Sequence, residues 1–245
     1  VEVRFYAELI DLLPARKRRR HHEVELAEPR SVKDLIESFQ VPHTEVDLIL
    51  LNGAPCGFDA LVGPGDRVAV YPVFEGLDIA AAQRLRPAPL RRPAFVCDVH
   101  LGTLARRMRL LGLDTRYDPA LDDPGIVAVQ AAEHRAILTC DRGLLQHNAV
   151  QWGYLVRSRE PDEQSQEVVH RFDLRGSLRP YTRCPRCNHL LQDATPDQVD
   201  RLAPPRVRTA CDEFSYCPDC DQLYWPGTHR TGIERWLRLA TGRPC

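Results

Sequence analysis

Alternating apolar and polar positions at the start of the chain predict strands on both sides of one helix. "VEVRFYAEL" and "EVELA" alternate with period two, which is typical of half-buried strands. "SVKDLIESFQV" has helical spacing and a serine cap at Ser31. "VDLILLNG" and "GPGDRVAVYPVF" add two strands beside glycine-containing turns. The order strand, strand, helix, strand, strand predicts an α+β domain.

A different alternation of elements follows in the middle of the chain. "AFVC" is a short buried strand that ends at Asp98, and the helix after it carries an apolar face and ends at Gly112. "DTRYD", "AILTC" and "GYLVRS" predict three further strands, with a helix over "DPGIVAVQAAEHR". Strands that alternate with helices predict an α/β domain with a parallel sheet.

The periodicity breaks at two places, which indicate the domain boundaries. "RLRPAPLRRP", residues 84–93, combines three prolines with four arginines and predicts a linker. A softer change comes near residues 179–183, where a tail rich in cysteine, proline and aromatic residues begins. We therefore predict domains at residues 1–83, 94–180 and 181–245.

Composition narrows the class of protein. The chain has 33 Lys and Arg against 34 Asp and Glu, so its formal net charge of -1 favours no particular partner. No apolar run approaches the roughly 18 residues of a membrane span. Four of the nine cysteines form two CxxC pairs, which in a reducing compartment indicates a metal site. We expect a soluble cytoplasmic protein that has no membrane partner.

Three acidic positions predict a metal site at one edge of the parallel sheet. Asp98 and Asp141 follow apolar strands directly, and Asp123, with Asp122 beside it, opens a helix. The carboxyl ends of parallel strands lie side by side, and clustered carboxylates require a divalent cation. For each aspartate taken alone, a helix cap is the favoured explanation. Their common edge favours the metal site.

Such a site suits Mg²⁺ or Mn²⁺ with a phosphate substrate. The cation would polarise a phosphoryl oxygen and lower the pKa of a water molecule, which would then attack phosphorus in line. The sequence shows no convincing Ser/His/Asp or Cys/His arrangement for a protein nucleophile. Hydrolytic attack on the phosphorus of a phosphate substrate is the reaction predicted for this cleft.

The tail contains the most specific metal-binding pattern. Cys184, Cys187, Cys217 and Cys220 form two CxxC pairs separated by 29 residues, and four thiolates bind Zn²⁺ tetrahedrally. This zinc would be structural, and the long spacing predicts a loop or short helix between the pairs, with "TPDQVDRL" as the candidate segment. Less favoured alternative ligands are Cys211, His189 and His229. The aromatic residues nearby belong to the ribbon core or stack on unpaired RNA bases; these residues are Tyr181, Phe214, Tyr216, Tyr224 and Trp225.

A basic run at residues 16–22 leaves two interpretations open. It contains adjacent arginines, a lysine and two histidines. Charge runs of this kind are usually solvated loops, although five adjacent positive charges also suit a phosphate backbone.

Several motifs resemble those of a known family. "FVCDVHLGTLARRMRLLGLDTRYD", "EHRAILTCDRGLL" and "GYLVRS", followed by the CxxC pairs, resemble the Mut-7 C-terminal RNase domain, a PIN-like nuclease fold with a zinc ribbon. The resemblance implies that Asp98, Asp123 and Asp141 bind the catalytic metal. It also implies basic positions beside the cleft, at Arg106, Arg109 and Arg142.

The match has one departure within the acidic positions. Pro124-Gly125 stands where members of the family usually continue with acidic residues, and Asp122 is the alternative ligand there.

The first segment has the element order of a ubiquitin-like β-grasp and resembles the domain often fused to this family. "LNGAPCGFDALVGPGDRVAVYPVFEG" is similar to sulfur carriers of that superfamily, but the chain continues past "FEG" where carriers end in Gly-Gly. The resemblance therefore supports the fold and argues against carrier chemistry.

Together these features predict a ribonuclease that depends on Mg²⁺ or Mn²⁺, aided in RNA binding by its zinc ribbon. The alternative is a noncatalytic RNA-binding or ribosome-binding protein whose metal site Pro124-Gly125 has weakened. The sequence does not distinguish tRNA, mRNA and ribosomal RNA, nor internal from terminal cleavage, and it does not give the oligomeric state.

Overall fold

The computed structural model describes residues 1–72, 84–85, 93–226 and 236. The chain forms two compact units, one of Val1–Arg92 with Asp123–Leu155 and one of Pro93–Asp122 with Val156–Cys245. Most of the predicted linker lies outside the described residues. Each unit combines parts of the chain that are distant in sequence.

The amino-terminal segment is a β-grasp, as its pattern predicts. Its elements are β1 (Glu2–Phe5), α1 (Leu9–Leu12), β2 (His21–Glu23), β3 (Arg30–Ser31), α2 (Val32–Glu37), β4 (Val46–Leu51), β5 (Ala54–Pro55), β6 (Leu61–Val62) and β7 (Arg67–Pro72). The main sheet has the order β2-β1-β7-β4-β5, and β1 pairs with β7 in parallel. The Ser31 hydroxyl accepts a hydrogen bond from the Asp34 N–H at 3.0 Å and caps α2. The ubiquitin-like fold is confirmed.

The middle segment contains parallel strand pairs. Its elements are β8 (Phe95–Cys97), α3 (Gly102–Leu110), β9 (Thr115–Arg116), α4 (Asp123–Glu133), β10 (Ala136–Thr139), α5 (Arg142–Leu145), β11 (Gly153–Leu155) and α6 (Pro161–Arg171). Strand β8 pairs with β9 in parallel, and β10 pairs with β11 in parallel. Every residue of β8, β10 and β11 is buried, which explains their continuous apolar runs. The predicted parallel pairing is confirmed.

The β-grasp binds the segment after β10 through buried polar groups of the first unit. The Glu45 carboxylate, on a residue only 1% exposed, accepts a hydrogen bond from the Leu155 N–H at 2.7 Å. The ring Nε2 of His43 hydrogen-bonds to the Val150 carbonyl oxygen, also at 2.7 Å. These buried bonds make the β-grasp an integral part of that unit.

The tail forms a small antiparallel sheet. Its elements are β12 (Gln192–Asp193), α7 (Pro196–Leu202), α8 (Pro205–Arg208), β13 (Ser215–Cys217) and β14 (Gln222–Tyr224), and the sheet order is β12-β13-β14. Thr195 and Gln198 form a reciprocal capping box at the start of α7, which lies within the predicted "TPDQVDRL" segment.

The tail is attached closely to α3 within the second unit. The N–H groups of Arg179 and Tyr181 donate to the carbonyl oxygens of Leu111 and Leu110, both at 3.0 Å. Gly112 permits this approach, because its φ is +82° and a Cβ there would lie 2.0 Å from the Arg179 carbonyl oxygen.

The described part of the carboxyl terminus also contacts the nuclease segment. The Trp236 indole N–H donates to the Ser165 hydroxyl of α6 at 2.8 Å. The other residues of the predicted terminal helix lie outside the described ranges. Among the described residues, no helix has the length and apolar character needed to cross a bilayer.

Candidate nuclease site and zinc centre

Asp98 is a buried carboxylate at the carboxyl end of β8. The residue is 5% exposed and precedes a 3₁₀ turn over Val99–Leu101. Its backbone carbonyl accepts the Leu101 N–H at 2.9 Å, but its side chain makes no capping hydrogen bond to the turn. Helix capping therefore does not explain the aspartate at this position.

Tyr117 is a neighbour of this turn that sequence analysis missed. Its hydroxyl donates to the Val99 carbonyl oxygen at 3.1 Å. A Cβ on Gly102 would lie 2.7 Å from the same hydroxyl, so the glycine makes room for the ring. Gly102 was the available sequence signal for this contact, because a glycine can mark a place where another group packs closely against the backbone.

Asp141 and Asp123 both stand at helix starts. Asp141 is exposed and its Oδ1 accepts the Gly143 N–H at 2.7 Å, which caps α5. Asp123 begins α4 and is exposed, as is Asp122 before it. Capping accounts for one oxygen of Asp141 and leaves Oδ2 without a hydrogen bond to a described residue.

The three aspartates are divided between the two units. Asp98 belongs to the second unit, whereas Asp123 and Asp141 belong to the first. Their assembly around one cation stays a prediction.

The three predicted RNA-facing arginines have different environments. Arg106 is exposed on α3. Arg109 is 4% exposed, and it donates to the carbonyl oxygens of Thr115 at 2.8 Å and Arg186 at 2.8 Å. Its burial differs from the prediction, because a side chain enclosed among backbone carbonyls holds the ribbon and does not face RNA.

Arg142 also has protein partners in the structure. Its Nη1 donates to the carbonyl oxygens of Leu12, at 2.6 Å, and Gln40, at 3.0 Å, both in the β-grasp. Nη1 thus links the start of α5 to the ubiquitin-like domain, and the phosphate contact of Arg142 stays a prediction. Sequence analysis missed this because backbone acceptors have no residue-specific pattern.

The four predicted zinc ligands form one cluster. The sulfur atoms of Cys184, Cys187, Cys217 and Cys220 all lie within 4.8 Å of one another. The Sγ atoms of Cys184 and Cys220 are 4.0 Å apart, and those of Cys187 and Cys217 are 3.3 Å apart. A tetrahedral Zn²⁺ with bonds of about 2.3 Å has sulfurs about 3.8 Å apart. The cluster therefore fits the dimensions of a zinc site.

Local backbone geometry positions both cysteine pairs. The residue after each pair, Asn188 or Asp221, has a left-handed φ of 75° or 49°. The Asn188 N–H donates to the Cys184 carbonyl oxygen at 2.9 Å and closes the first turn. These turns direct both thiols of a pair to the same side.

The thiols carry the electrostatics of a metal site. Burial would raise the pKa of Cys184, but hydrogen bonds from the Tyr224 hydroxyl and the backbone near Cys187 lower it to about 7. Burial raises the pKa of Cys217 to about 11. Four adjacent thiolates repel one another, so all four ionise together only beside a cation.

The alternative zinc ligands that the structure describes have other hydrogen-bond partners. His189 Nδ1 lies 2.8 Å from Asp219 Oδ2 and joins the two cysteine pairs. The Cys211 thiol donates to the Pro226 carbonyl oxygen at 3.5 Å. His229 lies outside the described residues.

An acidic cavity of about 700 Å³ lies beside the insertion between the cysteine pairs. Its lining includes Phe214 and Arg208 together with four acidic residues, Asp193, Asp200, Asp212 and Glu213. The Arg208 guanidinium lies 3.0 Å from the Asp200 carboxylate. A phosphate backbone would be repelled here, so stacking of RNA bases on Phe214 is not favoured.

Comparison with known families confirms the resemblance found in the motifs. Residues 93–237 match the family model described as the Mut7-C RNAse domain. Residues 1–78 match the model described as Mut7-C ubiquitin. A comparison with curated proteins gives no match.

Proposed function

Because the chain belongs to the Mut7-C RNAse domain family, we propose that it hydrolyses RNA phosphodiesters with the help of a divalent cation. The observation that carries this proposal is Asp98, a buried carboxylate at a strand end that does not cap the turn after it. Binding sites of parallel α/β sheets lie at the carboxyl ends of the strands, and a carboxylate there is a suitable ligand for Mg²⁺.

The donor set suits Mg²⁺ or Mn²⁺. Both ions prefer carboxylate oxygen, and Asp98, Asp123 and Asp141 offer only such ligands. When bound, the cation neutralises the phosphate charge and lowers the pKa of a water molecule. Asp98 and Asp141 would hold the ion from strand ends, and Asp123, or Asp122 beside it, would supply the third side chain.

The remaining residues orient this arrangement. The bond from Tyr117 to the Val99 carbonyl fixes the turn after Asp98, and the Gly143 N–H fixes one oxygen of Asp141. The exposed Arg106 guanidinium attracts the RNA backbone. The zinc ribbon has a structural role, because Arg109 ties its first cysteine pair to α3.

The cysteines support a cytoplasmic location as part of the proposal. The described cysteines form no disulfide bond with one another. Cysteines without disulfides and a zinc-thiolate site are typical of a reducing compartment.

The second candidate is a noncatalytic RNA-binding protein. Pro124-Gly125 favours it, because these residues lie in the first turn of α4 directly after Asp123 and offer no carboxylate for a metal. This protein would bind RNA equally well with and without a divalent cation.

The test is cleavage of a mixed pool of single-stranded RNA with Mn²⁺, Mg²⁺ or EDTA. Asp98→Asn and Asp141→Asn should each lower the rate by about 10²–10³-fold, equivalent to the several kcal/mol that a catalytic metal supplies. Asp173→Asn, which changes an exposed carboxylate of the second unit, is the matched control. Cleavage by the wild type in EDTA, or undiminished cleavage by Asp98→Asn, would exclude this mechanism.

A further inference from the structure

A long connection between β1 and β2 displays a run of positive charge. This segment, residues 6–20, is called the basic connection here. Buried Leu9, Leu12 and Leu13 anchor its first half, and the four arginines of its second half, Arg16, Arg18, Arg19 and Arg20, are all exposed. With Lys17 it has five basic residues against Glu8 and Asp11, a net charge of +3 in a chain whose net charge is -1.

These charges are not neutralised within the described part of the protein. Arg16 and Arg19 make no side-chain hydrogen bond or ion pair with a described residue. Arg18 donates only to the Leu13 carbonyl oxygen, at 3.4 Å. A fold gains nothing from crowding five cations in one segment, because like charges repel. The run therefore has a role outside the fold.

Aromatic rings support two of the cations. The Arg20 guanidinium lies 4.2 Å from the centre of the Tyr6 ring, which stacks on Tyr71 with ring centres 4.3 Å apart. The Lys17 ammonium lies 4.6 Å from the centre of the Phe39 ring. Cation–π contacts hold these charged groups in place.

Two contacts place the basic connection beside the turn that contains Asp141. Arg142 donates to the Leu12 carbonyl, within the connection, and to the Gln40 carbonyl. Gln40 follows Phe39, the ring beneath Lys17. Arg142, the residue next to Asp141, therefore contacts the basic connection directly at Leu12. It also contacts the residue that follows the ring beneath Lys17.

We propose that the basic connection is a second RNA-contact surface, which holds the strand where it leaves the Asp141 end of the nuclease site. The inference rests on the proposed function. Consecutive cations match a backbone that carries one charge per nucleotide, and their position beside Asp141 favours the substrate over an acidic protein. The ubiquitin-like domain thus acts as a substrate clamp.

The expected effect follows from counterion release. Each phosphate contact on single-stranded RNA adds roughly 0.7 to the slope of log K against log salt concentration. At 0.1 M salt this corresponds to about fivefold in affinity per contact. Losing two contacts should therefore weaken binding by about 25-fold and reduce the slope by about 1.4.

The test compares two double variants of the full chain in EDTA, so that no cleavage interferes. Arg16→Ala/Arg19→Ala removes two cations that have no described side-chain partner. Arg30→Ala/Arg67→Ala removes two exposed cations from other parts of the same domain. The probe is a fluorescent single-stranded RNA titrated at several salt concentrations, and urea unfolding confirms that both variants remain folded.

We expect only Arg16→Ala/Arg19→Ala to lose affinity and slope, whereas Arg30→Ala/Arg67→Ala should bind RNA as the wild type does. Equal RNA affinity for the two double variants would overturn the proposal. It would also be overturned if the arginine changes abolished binding to an acidic peptide and left RNA binding unchanged. A wild type that binds RNA but does not cleave it would refute the proposed function and leave this surface standing.

Discussion

The guanidinium of Arg109 donates a hydrogen bond to the carbonyl oxygen of Arg186, 2.8 Å away. Arg186 lies between the first two predicted zinc ligands, Cys184 and Cys187, so a side chain of α3 holds this cysteine turn directly. Asn188 strengthens the attachment, since its amide donates to Asp114 and accepts from the Thr115 N–H. The ribbon and the α3 region therefore stabilise each other.

We expect Arg109→Met to destabilise the protein by about 3 kcal/mol, because it leaves buried carbonyl groups without a charged donor. Arg106→Met, on the exposed face of the same helix, should change stability by less than about 0.5 kcal/mol. Urea unfolding with simultaneous measurement of bound zinc checks both values. Equal stability of the two variants would show that the buried contacts contribute nothing.

Each chain should contain one zinc ion. Cys184→Ser should abolish zinc binding and unfold the ribbon, because zinc binding supplies folding free energy of about 10 kcal/mol in small domains. Cys211→Ser is the control, as this thiol lies outside the cluster. Elemental analysis of protein purified without chelator measures the zinc content. Full zinc content in Cys184→Ser would disprove the ligand assignment.

Gly112→Ala should destabilise the protein by about 3 kcal/mol or more. A Cβ would lie 2.0 Å from a backbone carbonyl, and the residue has a left-handed φ of +82°. Gly176→Ala provides the comparison, since a Cβ there meets no atom within 4 Å. Thermal unfolding of the two variants should separate them by several degrees. Similar melting temperatures would contradict the packing of residue 179 on α3.

His22 should make the protein less stable in mild acid. Burial lowers the pKa of His22 below its usual value of 6.5, so the unfolded chain binds a proton at a higher pH than the folded protein does. Its contribution to stability is therefore complete above about pH 7 and falls as the pH drops below about 6.5.

The measurement is the free energy of unfolding between pH 7.5 and 5. It should decline less in His22→Gln than in the wild type, whereas His21→Gln, which changes an exposed neighbour, should decline as the wild type does. A decline of equal size in His22→Gln would rule out this histidine as the cause.

Features with local causes could be predicted from the sequence. The strand around Val96 is a continuous buried run, the cap at Ser31 is formed by neighbouring residues, and each CxxC pair makes its own turn. The cysteine cluster could be predicted as well, because a single contact between the two turns brings all four thiols together. The grouping of Asp98 with Asp123 and Asp141 stays a prediction.

Features that depend on distant backbone atoms could not be predicted. Arg109 and Arg142 follow the motifs of exposed basic positions, yet both donate to carbonyl groups of distant segments. Every residue has a backbone carbonyl acceptor, whatever its side chain, so no residue type in the sequence marks the partner. The same reason concealed the attachment of the β-grasp through Glu45.

The hydrogen bond between Glu45 and Leu155 also constrains when the β-grasp can complete its folding during synthesis. These residues are 110 positions apart, and ribosomes add about 5–20 residues per second. A nascent β-grasp therefore waits roughly 5–20 s before the amide that its carboxylate binds has been synthesised. During that interval water must solvate a side chain that the finished protein buries. The β-grasp is synthesised before the nuclease strand β11, but it can form this buried hydrogen bond only after the ribosome has passed β11.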